Sequence, residues 1–216
     1  MTFSDEFAPL TPINFFQISA DCLSLPKSDF PYFTKQNYRK HLLPDMAAYC
    51  SEASFAEVAV GWRVDGIEIY ARMDYPFRHV FYPQVDQGDS VEVFIDTRDV
   101  KTAGFNTKFC HHFFFLAEGV DGHFAGEITR FRTEDVHPLC DPKDLKVKSV
   151  CQSTSHSMNI FIPTQCLFGY DPEQFKRLGF SYRINRAQGF PQHFSVTSDD
   201  YQIDQQPSLW ASLQLK

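Results

Sequence analysis

The sequence predicts an all-β protein, an antiparallel β-sandwich in the jelly-roll style with one or two short helices. Three observations predict it. Apolar and polar residues alternate with period two in several short stretches, most clearly where Val91, Val93 and Ile95 interleave with Glu92, Phe94 and Asp96. Gly, Pro, Asn and Asp punctuate the chain between these stretches, leaving roughly eight to ten short strands. The 23 Phe and 9 Tyr suit a pleated, half-buried surface, so a sheet core accounts for them.

Residues 1–50 read as an irregular N-terminal extension packing on the domain formed by residues 51–216. Pro9, Pro12, Pro26, Pro31 and Pro44 break any long element there. Within it, Ile13 to Ser19 suits a short edge strand and Lys35 to Leu43 one or two helical turns. Lys35, Arg39, Lys40 and His41 form the solvated face of those turns. From Phe55 the texture changes. Val58, Val60 and Trp62 alternate, Asp65-Gly66 makes a tight turn, and Ile67, Ile69, Ala71 and Met73 alternate again, the signature of a hairpin. A proline-containing loop over 75–87 leads to the strand at Val91–Asp96, and a loop with Gly104 and Asn106 leads to a second at Phe109–Leu116. That loop is too short for a helical crossover, so the two pair as a meander. A Gly-containing turn at 118–122 opens His123–Phe131.

Leu145–Val150 and Ser157–Ile162 read as two more strands, the latter closed by Pro163, which cannot donate to a ladder. Asp171 as N-cap, Pro172 at the first helical position and Gly179 as stop predict a helix over 171–178. Phe180, Tyr182 and Ile184 alternate next, Phe194–Thr197 follows, and Leu209–Leu215 closes the chain as a strand.

Composition excludes several classes of function. The net charge of -7, with 20 Lys and Arg scattered among 27 acids, does not supply the clustered basic surface that nucleic acid requires. No run reaches the roughly 18 apolar residues of a membrane span, so no membrane partner is expected. The six cysteines, Cys22, Cys50, Cys110, Cys140, Cys151 and Cys166, contain no CxxC pair. With no basic and apolar leader visible at the start, they read as reduced thiols of a cytoplasmic protein. No Gly-x-Ser-x-Gly, Walker loop or His-Glu-x-x-His motif is present, and no enzyme is expected. Glu92 and Asp96 lie about 13 Å apart along one strand face at roughly 3.3 Å per residue. That exceeds the about 5 to 9.5 Å of a hydrolytic carboxylate pair.

The order of elements carries a resemblance. A hairpin at Val58–Met73 is followed by Gly-Asp-Ser-Val-Glu-Val-Phe-Ile-Asp at 88–96. A strand ending in Ile162-Pro163, a short helix, Gly-Phe-Ser-Tyr-Arg-Ile-Asn at 179–185 and a final strand containing Trp210 come after it. This succession resembles the family 9 carbohydrate-binding modules and the wider DOMON-like superfamily, over roughly residues 55–216. The resemblance implies a β-sandwich whose concave sheet face binds a saccharide, or haem in the cytochrome-like branch, often with structural calcium nearby. Trp62 and Trp210, the two tryptophans available for stacking on a sugar, both read as packed residues.

Sugar recognition needs charged or amide groups for vicinal hydroxyls and an aromatic face for the ring. The face opposite Val91, Val93 and Ile95 offers Glu92 and Asp96, with Arg98 just beyond. His112 from the next strand and Arg183 and Asn185 from the later one are expected to converge with them, as a ligand site or as a salt-bridge network across the sheet. His111 and His112 point to opposite faces of a strand, so at most one belongs to a given site. His79, His123, His137, His156 and His193 show no ligand spacing. No cofactor is required, though calcium is possible on Asp86, Asp89, Asp96 and Asp99, or on Asp199, Asp200 and Asp204. Met73 and His156 are the candidate axial ligands of the haem alternative. The expected partner is a carbohydrate, or a protein where the sandwich has lost its ligand.

Overall fold

Period-two alternation becomes strand in every stretch where one face has an apolar layer to pack against. The computed structural model describes residues 17–197 and 201–216, and among these it forms eleven strands. They are β1 (Ser19–Ser24), β2 (Ala56–Arg63), β3 (Gly66–Met73), β4 (Ser90–Asp96), β5 (Cys110–Val120), β6 (His123–Glu127), β7 (Lys146–Cys151), β8 (His156–Pro163), β9 (Arg177–Asn185), β10 (Gln192–His193) and β11 (Ala211–Leu215). The spatial order is β6-β5-β4-β9-β11-β1-β2-β3-β8-β7, with β10 beside β9. One layer runs from β6 to β11 and the other from β2 to β7. The layer ends, β6 and β7, come together, so the sandwich is nearly closed. All pairings are antiparallel except those of β1, which runs parallel to both β11 and β2.

That strand revises the reading of the N-terminal extension. Ser19–Cys22 pair with β11 while Leu23 and Ser24 pair with β2, so a segment expected to be irregular joins the two layers. The edge strand expected at Ile13–Ser19 falls mostly outside the described residues. The helix expected over 171–178 is a single turn. Asp171 does cap it, its Oδ1 accepting from the amides of Glu173 and Gln174 at 3.1 and 3.0 Å, and Phe175 N donates to Asp171 O at 2.8 Å. The chain is then drawn into β9, because Arg177 and Leu178 pair with Gln214 and Leu213 of β11. The 3-10 turn at Tyr38–His41 lies within the helical stretch expected at Lys35–Leu43. Phe194–Thr197 forms bends instead of a strand, and the hairpin turn falls on Val64-Asp65, one residue earlier than expected.

Val58, Val60, Ile67 and Ile69 of one layer meet Val91, Val93, Ile95, Phe113, Phe115, Phe180 and Ile184 of the other in one buried cluster. At roughly 2 kcal/mol for each large side chain removed from water, this interlayer contact dominates the stabilisation. Glu92 and Phe94 project from β4 on the opposite side. Phe94 packs there with Cys110, Val196, Ile203 and Trp210, so the segment leading to β11 roofs one half of the outer face. All seven residues of β4 are consequently buried.

Candidate functional site

Register assembles the polar cluster. Glu92 of β4 sits directly opposite Arg183 of β9, Ser90 opposite Asn185, and Phe94 opposite His112 of β5. Directly opposed residues share a face, so Glu92, His112, Arg183 and Asn185 all reach the outer side of the sheet. Glu92 is the centre. Its Oε1 lies 2.8 Å from His112 Nε2, while its Oε2 accepts from Arg183 Nε at 2.6 Å and from Asn185 Nδ2 at 2.6 Å. Asn185 Nδ2 also reaches Ser90 Oγ at 2.9 Å. The His112 ring lies against Phe94, centroids 4.4 Å apart.

Glu92, His112 and Asn185 are buried, and the Arg183 side chain retains 15% exposure. Burial alone would raise the Glu92 carboxyl. The His112 hydrogen bond and the Arg183 guanidinium outweigh it and hold the acid well below the usual carboxylate range. Burial opposes the charge on Arg183 in the same way, and Glu92 overcomes it, so the guanidinium is held above its ordinary value. Glu92 is therefore a fixed anion and Arg183 a fixed cation at neutral pH.

Asp96 and Arg98 do not join the cluster. The Asp96 carboxylate turns back on its own loop, accepting from Arg98 N at 2.9 Å and Val100 N at 2.7 Å. It shapes the turn after β4. Burial pushes its carboxyl up despite those two amides. The Arg98 guanidinium lies over the rings of Phe175 and Phe109, 3.7 and 4.6 Å from their centroids, and donates to the carbonyls of Thr97 and Gly169. Four of the six expected residues thus converge, and two serve the far end of the strand. The reason is the pleat: Glu92 and Asp96 share a face but are separated by Phe94 and its aromatic roof.

Sequence reasoning passed over the aromatics in the flanking loops. The loop entering β4 carries Phe81, half-exposed, and Tyr82, which stacks on His123 at 4.2 Å. The loop leaving β9 carries Phe190, 77% exposed and braced by Arg186 Nε donating to its carbonyl at 2.9 Å. Both loops spring from the Ser90–Asn185 end of the sheet, where the polar cluster lies. Their signal in the sequence is an aromatic beside proline in each, Tyr82-Pro83 and Phe190-Pro191. Beyond Asn185, Arg186, Gln188, Arg78 and His79 line a groove of about 540 Å³.

Three of the carboxylates considered for calcium, Asp89, Asp96 and Asp99, hold protein partners. Asp89 accepts from the amides of Arg78, His79 and Ala187, and Asp99 pairs with Lys101 and Ser212. Asp86 stands exposed, and Asp199 and Asp200 lie outside the described residues. Met73 and His156, considered for haem, are cross-strand neighbours within the packed core, with Phe77 stacked on His156 at 5.0 Å. No macrocycle fits between them. His111 and His112 do face opposite sides. His112 joins Glu92, whereas His111 meets Glu127 and His137.

No family model matches the chain, and no curated protein matches it. Solved structures do. The chain is similar to a family 9 carbohydrate-binding module from Caldicellulosiruptor kristjanssonii in complex with cellotriose, with 15% identity over 92% of this chain and 93% of that one and a TM-score of 0.67. It is similar also to a family 9 module from the same organism in complex with glucose, with 14% identity over 92% and 95% of the two chains and a TM-score of 0.65. At such identities the likeness establishes the fold, across nearly the whole length of both chains. In fold, this chain is a β-sandwich similar to the family 9 carbohydrate-binding modules.

Proposed function

We propose that the chain is a non-catalytic saccharide-binding domain whose ligand lies on the outer face of β4, β5 and β9. The observation that carries this reading is the convergence of His112, Arg183 and Asn185 on the Glu92 carboxylate, between two loops that expose phenylalanines. Glu92 engages Arg183 through Nε, which leaves the two terminal nitrogens in a fixed fork for vicinal hydroxyls. Phe190 and Phe81 supply apolar faces for the C–H side of a pyranose ring. The fold supports the same ligand class, since the two similar modules were solved with cellotriose and glucose. A carboxyl held far below neutral pH by the His112 hydrogen bond and the Arg183 guanidinium is a poor general acid.

Calorimetric titration with glucose, cellobiose and cellotriose, alongside a glycan array, tests the proposal. Saturable binding that falls at least tenfold in Arg183→Ala supports it. Silence across the array, or full binding by Arg183→Ala, overturns it. A second reading has its own observation. The segment packing Val196, Ile203 and Trp210 on Phe94 covers half of the same face. A protein-interaction domain that has lost its sugar is therefore the alternative, and a silent array favours it.

A further inference from the structure

At the β5–β6 edge, three side chains from separate stretches meet on the face turned away from the polar cluster. His111 of β5, Glu127 at the end of β6 and His137 of the following loop each bring one donor atom within 4.8 Å of the others, and all three are buried. His111 Nδ1 and His137 Nε2 both lie 2.8 Å from the same oxygen, Glu127 Oε1. Proton placement decides what this means. His137 Nδ1 lies 2.7 Å from the Lys108 carbonyl oxygen. A carbonyl only accepts, so Nδ1 carries the ring proton, and a neutral imidazole then aims its Nε2 lone pair at a carboxylate oxygen. Such a contact holds only with a positive centre between the two atoms, either a second proton or a metal ion.

Three further features favour the metal. His111 Nδ1 converges on the same oxygen at 2.8 Å, so the ring's contact with another side chain is made at the cluster. Two imidazole nitrogens and a carboxylate oxygen are the donor set of zinc and its neighbours, and harder ions such as calcium and magnesium prefer oxygen alone. The supporting shell is in place as well. The Lys108 carbonyl fixes His137, Cys140 N donates to Glu127 Oε2 at 2.9 Å, and Thr129 Oγ1 donates to Oε1 at 2.8 Å. Phe113 lies parallel to the His111 ring, and Phe168 parallel to that of His137.

We propose that His111 Nδ1, Glu127 Oε1 and His137 Nε2 bind one divalent transition-metal ion of the zinc class, which staples the loop after β6 to the sheet. Tetrahedral bonds of about 2.1 Å set donor atoms about 3.4 Å apart. Each imidazole therefore withdraws about 0.6 Å from Oε1 as the ion replaces the protons there. Three protein ligands leave the fourth position for a water.

The test uses the untagged full chain, stripped with a chelator and dialysed. Zn2+ is titrated by calorimetry and Co2+ by visible absorption. One equivalent of Zn2+ is expected, with an intense tetrahedral Co2+ band. His137→Ala and His111→Gln lower the affinity at least tenfold and abolish the zinc-dependent rise in Tm, while circular dichroism shows the sheet intact. Glu127 also anchors the Cys140 amide, so the two histidine variants decide. A wild-type chain that takes up neither ion overturns the proposal. Wild-type affinity in both variants overturns it too, because the ion is then held elsewhere.

Discussion

The Glu92 carboxylate and the Arg183 guanidinium face each other across the β4–β9 pair at 2.6 Å, one fully buried and the other nearly so. Removing one partner leaves the other charge unpaired in a largely buried position. Glu92→Ala is therefore expected to destabilise the domain by about 3 kcal/mol. Urea denaturation measures it, and a loss under about 1 kcal/mol would show that solvent reaches Arg183 more freely than its burial indicates.

The same pair sets a pH dependence. Because the folded Glu92 carboxyl titrates below its unfolded value of 4.5, its contribution is complete above about pH 4.5 and is lost as pH falls well below that. Asp96 and Glu68 shift the other way through burial, so total stability is a poor readout. The stability difference between wild type and Glu92→Gln isolates the carboxyl. It is expected to be constant from pH 5 to 7 and to shrink toward pH 2; a difference that grows on acidification would contradict the assignment.

Phe190 separates binding from folding. At 77% exposure it contributes little to the core, so Phe190→Ala should leave Tm within about 1 °C. Its loss should weaken saccharide binding by about 1 kcal/mol, roughly fivefold in Kd. An unchanged Kd would move the stacking surface to the Phe81 loop.

Gly66 is held by geometry. Its φ is +150°, and a Cβ there would meet the Ile162 carbonyl oxygen at 2.4 Å, a backbone atom fixed by the β3–β8 ladder. Gly66→Ala is expected to lower stability by about 2 kcal/mol or more, from strain and overpacking together. Gly104→Ala, where nothing lies within 4 Å, is the control and should be near neutral.

The six cysteines are free thiols. Cys22, Cys50 and Cys110 are buried, and burial pushes each thiol up to about 12. Cys151 is exposed. A thiol reagent at pH 8 is expected to modify Cys151 first and to reach Cys22, Cys50 and Cys110 only on unfolding. Mass spectrometry of the native chain checks the order.

Local pattern in the sequence determined the sheet class, the Val58–Met73 hairpin, the meander of Ser90–Glu127 and the division of β4 into an apolar and an acidic face. Each depends only on period two and turn chemistry, which act over a few residues. The capped turn at Asp171 shows the limit of such signals. The cap forms as read, yet pairing with β11 overrides helix propensity from Arg177, six residues later. The same holds for Ser19–Ser24, whose strand exists because two distant strands offer it edges.

Tertiary structure alone decided which polar groups meet. Glu92 finds Arg183 across 91 positions of chain, and Glu127 finds His111 and His137 across 16 and 10. No sequence spacing encodes these meetings, because they follow from register and from a loop folding back on the sheet. Asp96 and Arg98 lie as close to Glu92 in sequence as His112 is far. The pleat and the Phe94–Trp210 packing nevertheless send them to the other end, since chain proximity along a strand is distance in space and only strand pairing closes it.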